Sequence, residues 1–64
     1  MFGLHKEEFK VDGHDYVAVA DFINDEITIH GRKFNYRCPM DEYVNFEGNM
    51  RDFVEAVVNK ERVE

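Results

Sequence analysis

Apolar and polar residues alternate singly along the first 38 positions, and beyond that the apolar spacing lengthens to three and four. Four stretches carry the alternation, at 7–11, 16–23, 26–30 and 33–38, and all are rich in Val, Ile, Phe and Tyr. Such residues suit a pleated surface with one buried side, so each stretch is expected to be a β-strand. Between them stand turn formers: Asp12-Gly13-His14-Asp15, Asn24-Asp25 and Gly31-Arg32. Two-residue loops at Gly13-His14, Asn24-Asp25 and Gly31-Arg32 set a trial register. Val11 then opposes Tyr16, Phe9 opposes Ala18, Phe22 opposes Ile27, Ala20 opposes Ile29, and Ile29 and Ile27 oppose Phe34 and Tyr36. Every one of these side chains falls on the same face, whereas a slip of one residue would scatter them. The pattern predicts a four-stranded antiparallel meander.

Pro39 has no N–H for a ladder and is expected to end the fourth strand. Residues 40–45 then link to a helix over about 46–60, with Tyr43 and Val44 available to cover an edge of the core. Phe46, Met50, Phe53, Val54, Val57 and Val58 form the apolar stripe of that helix, and Arg51, Asp52, Glu55, Asn59 and Lys60 its polar side. Asn45 or Asn49 is the expected cap, with Asp52 three residues after Asn49. Neither sheet nor helix can bury its apolar side alone, so the helix is expected to lie across the sheet. Ala18 and Ala20 leave room there for Phe53 and Val57, with Cys38 a small buried residue on the same side. The predicted fold class is α+β, a two-layer ββββα arrangement forming one domain over 1–64. Phe2 and Leu4 are expected to fold over an edge of its core, the alternative being an exposed apolar tag.

Charge narrows the partners. Fourteen acidic residues against eight basic ones give a formal charge of −6, which disfavours direct binding to nucleic acid or an anionic membrane. Cys38 is the only cysteine, so no intrachain disulfide can form, and a reducing cytoplasm is the expected location. No apolar run approaches the roughly 18 residues of a membrane helix. The first residues also lack the layout of a signal peptide.

Catalytic chemistry finds little to work with. There is no serine and one threonine, Thr28, so a serine nucleophile is excluded. Cys38 and His30 are expected on opposite faces of the sheet. His5, His14 and His30 have no metal-ligand spacing, and the four glycines form no phosphate loop. The neighbouring carboxylates Glu7-Glu8 and Asp25-Glu26 diverge on strands, where adjacent side chains point opposite ways, and Asp41-Glu42 is read as surface solvation. No catalytic residue, metal or cofactor is expected. The chain is expected to work by binding.

Two surfaces are left for a partner. On the sheet face away from the helix, Val17, Val19 and Ile23 stand among charged residues beside Thr28 and His30. A single exposed apolar side chain is ordinary, but three on one strand suggest a contact surface. The second surface is acidic, built from Asp41, Glu42, Glu47, Asp52 and Glu55, and carboxylates spaced along a helix can imitate nucleic-acid phosphates. The expected function is a protein-interaction module that regulates or inhibits a larger cytoplasmic partner. The alternatives are a structural homo-oligomer assembled through the exposed sheet face and an acidic DNA mimic. In its short length, lack of catalytic residues and excess of acid, the chain resembles the small inhibitors that bacteriophages make against host enzymes. That is a likeness of character and not of motif.

Overall fold

Three hairpins fold the first two thirds of the chain into one antiparallel sheet, and two helices cover one side of it. The computed structural model describes residues 3–61, so Phe2 lies outside the described residues. The strands are β1 (Leu4–Val11), β2 (His14–Asp21), β3 (Glu26–Gly31) and β4 (Phe34–Pro39), in the spatial order β1-β2-β3-β4. A short helix α1 (Met40–Val44) and a longer α2 (Met50–Glu61) follow. This is the ββββα fold of the alternation pattern, with α1 added.

Each of the three hairpins is shifted from its expected register by two residues, for a local reason in each case. Asp12 and Gly13 form the first turn with φ of 53° and 82°, so Val11 pairs with His14 and Phe9 with Tyr16. Two consecutive residues at positive φ make the turn whose twist matches the strands, and Asp-Gly suits it. In the second hairpin Asp21 pairs with Glu26, and residues 22–25 form a four-residue loop ending on Asp25 at φ 60°. Asp21 sets that loop: its Oδ1 accepts the main-chain N–H groups of Ile23 and Asn24, both at 3.0 Å, and its Oδ2 accepts the Asn24 side-chain amide at 2.8 Å. Phe22, expected to oppose Ile27 in the core, is therefore in the loop and 58% exposed. In the third hairpin the turn is Arg32-Lys33, and Gly31 stays in β3 opposite both Tyr16 and Phe34. The Tyr16 ring lies over Gly31, where a Cβ would collide with it. Shifts of two leave every strand side chain on its expected face.

The helix-side face of the sheet contributes Val11, Tyr16, Ala18, Ala20, Ile27, Ile29 and Cys38 to the core. Met40 at the start of α1 and Phe53, Val54, Val57 and Val58 of α2 complete it. Asn49 caps α2, accepting the Asp52 N–H on its side-chain oxygen at 2.8 Å and the Phe53 N–H on its carbonyl at 3.0 Å. The helix therefore begins four residues later than the apolar stripe alone suggested. Phe53 makes edge-on contacts with the Tyr43 and Phe46 rings, with centroids 5.4 Å away in both pairs. Tyr43 thus covers the core as expected, while Val44 is exposed. Leu4 does not fold over the core: it opposes Asp21 on the outer face of β1 and is 57% exposed.

Candidate interaction surfaces

The sheet face opposite the helices is organised in rows across the strands. One row runs Glu8, Val17, His30, Asn35, and the next runs Lys6, Val19, Thr28, Arg37. Among the described residues, Val17 and Val19 are half-buried by these neighbours alone, since both helices lie on the other side. The structure brings Val17, Val19, Thr28 and His30 together, as the strand alternation requires. Thr28, His30, Asn35 and Arg37 border a shallow polar depression of about 480 Å³. Arg37 Nε lies 3.9 Å from Glu26 Oε1, an exposed pair worth little on its own.

Ile23 does not join this group. It sits in the loop after β2, 74% exposed, with its side chain against Gly3. The loop removes it from the strand because Asp21 uses both carboxylate oxygens to hold residues 23 and 24. These hydrogen bonds, the Asn24 N–H first among them, hold the Asp21 carboxyl below its usual range. Leu4 contributes apolar area to the sheet face instead. Its polar surroundings in sequence hid it, because β1 carries Lys6, Glu8 and Lys10 on the same side.

The acidic residues are all exposed but lie on separate elements. Asp41 and Glu42 are on α1, Glu47 is in the connecting segment, and Asp52 and Glu55 are in the first half of α2. They do not line one rod. Glu42 is also engaged locally, where its Oε1 accepts the Tyr36 hydroxyl at 3.2 Å. Burial, followed by that hydrogen bond, pushes the Tyr36 phenol up to about 12. Beside it Cys38 is 5% exposed, and burial together with the Glu42 carboxylate raises its thiol. Cys38 faces the helices and His30 faces away, so they do not converge.

A groove of about 380 Å³ runs between β4 and the two helices, with Tyr36, Phe46, Phe53 and Val57 among its lining residues. Sequence reasoning missed it, because it depends on where α1 leaves β4. Among the described residues no group of three or more His, Cys, Asp or Glu side chains could hold a metal ion. No helix of the described residues is long and apolar enough to cross a membrane. No family model, curated protein or solved structure matches the chain significantly.

Proposed function

We propose that this chain is a protein-interaction module that regulates or inhibits a larger cytoplasmic partner, acting by binding and not by catalysis. Its contact surface is the outer sheet face centred on Val17 and Val19, with Leu4, Thr28 and His30 around them. One observation carries this reading: two apolar side chains in adjacent rows at the middle of the sheet have no covering element among the described residues. Apolar area left in water favours association by roughly 25 cal/mol per Å² before ordering is counted. Lys6, Glu8, Glu26 and Arg37 supply the polar rim that protein interfaces commonly carry. The separated carboxylates of α1 and α2 give less support to a DNA mimic, which needs regularly spaced charge. The lone buried cysteine suits a reducing compartment.

Self-association through the same face is the second reading. It is favoured by charge: Lys6, Lys10 and Arg37 balance Glu8, Asp21 and Glu26 there, so two copies of an acidic chain meet on neutral ground. Light scattering over a range of concentrations separates the two, since only self-association raises the mass. Val19→Glu tests both. The new carboxylate would oppose Lys6 and leave the core intact, so the thermal melt should hold while association is lost. Unchanged association would move the contact elsewhere.

A further inference from the structure

The edge of β4, unpaired among the described residues, and the groove beside it form a second site. We infer that it takes an extended, basic and apolar segment of another protein as a fifth strand. Hydrogen-bond alternation shows which groups the edge offers. The Arg32-Lys33 turn makes Gly31 and Phe34 a hydrogen-bonded pair, so Tyr36 and Cys38 also bond back to β3. The bond from the Met40 N–H to the Asp25 carbonyl, 2.8 Å, continues that series. The N–H and C=O groups of Asn35 and Arg37 consequently point outward. Pro39 occupies the next outward position, where its missing N–H leaves no gap in the ladder.

The two sheet edges differ in how they are guarded. On β1 the outward-facing residues are Leu4, Lys6, Glu8 and Lys10, three of them charged, which is how proteins discourage edge pairing. On β4 only Arg37 is charged. The groove also meets β4 at Tyr36, with Phe46, Phe53 and Val57 from the helical side among its lining. A strand added to the edge would point alternate side chains into it, the mode by which sheet edges capture peptides.

Charge selects the occupant. Among the described residues, Glu42 and Glu61 against Lys60 leave the rim of the groove net negative, and Asp41 adds to it nearby. A second copy entering by its own β4 would bring an identical acidic rim against this one. A segment whose groove-side positions are an apolar residue flanked by lysines two positions away on either side meets that rim with opposite charge, while its alternate side chains stay neutral beside Arg37.

The probe is the synthetic peptide Thr-Lys-Thr-Val-Thr-Lys-Thr, capped at both ends, which carries Val and both lysines on one side, with a counterpart in which glutamate replaces both lysines. Titration into the labelled protein, followed by NMR, should shift the Asn35 and Arg37 amides and slow their exchange, while the glutamate peptide does nothing. Asn35→Pro removes one outward N–H without touching the β3 ladder, so the fold should persist and binding should weaken about tenfold or more. Should that variant melt early, Glu61→Lys decides instead, with weakening of similar size expected. Val19→Glu, on the other face, should leave peptide affinity unchanged. Shifts centred on Val17 and Val19, unaltered affinity in the Asn35→Pro or Glu61→Lys protein, or a doubled mass that is lost with Asn35→Pro and no peptide present would each overturn the inference. Absence of binding at millimolar peptide would do the same.

Discussion

Lys33 holds φ at 60°, a conformation in which an L side chain crowds its own backbone, while Asp12 and Asp25 share it more comfortably. Lys33→Gly should therefore raise stability, by up to about 1 kcal/mol, read as a higher urea midpoint with an unchanged slope. Gly31 behaves in the opposite way, because Tyr16 occupies the space of its missing Cβ. Tyr36 sets a pH dependence. Its ordinary value is 10.0 and in the fold it is pushed up to about 12, so the neutral phenol is the form that the folded state favours. The resulting stability is fully present below pH 10.0 and disappears as pH rises from there to about 12. Tyr36→Phe should flatten that part of the stability curve relative to the parent. Cys38, buried and with its thiol raised, should resist alkylation until the protein unfolds.

At the scale of elements, α2 is held by its cap and its buried stripe. Asn49→Ala leaves the Asp52 N–H without its 2.8 Å acceptor and should lower stability by about 1 kcal/mol. Phe53→Ala empties the junction of Tyr43, Phe46 and α2 and should cost about 3–5 kcal/mol, close to all the stability a domain of this size has. Ala20→Leu should hurt through overpacking, because the Ala20 side chain is buried with the rest of the sheet's inner face. If both core variants melted like the parent, the helices would not be docked on this face.

For the molecule as a whole, two layers leave one sheet face and both sheet edges without a further strand among the described residues, and of the edges β4 is the less charged. The face presents Val17 and Val19 in a setting of balanced charge, and the β4 edge presents main-chain groups beside an acidic rim. Paired variants keep the two apart: Val19→Glu should silence the face alone, and Asn35→Pro the edge alone. A variant that silences both while leaving the melt unchanged would indicate one continuous contact surface.

The two-residue alternation by itself determined the fold class, the strand faces and the grouping of Val17, Val19, Thr28 and His30, because side chains of a strand must alternate whatever their register. The helical stripe did the same for α2, where Phe53, Val54, Val57 and Val58 are all buried. Registers needed more than pattern. Shifts of two residues preserve every face, so they leave no trace in the alternation. They were decided by the positive φ of Asp12 and Gly13, by the Asp21 hydrogen bonds and by the Tyr16 ring lying on Gly31. The Asp21 hydrogen bonds also took Phe22 and Ile23 out of the strand. The groove by β4 and the Tyr36–Glu42 bond were settled only when α1 turned back over the sheet, bringing together residues from elements that share no sequence period.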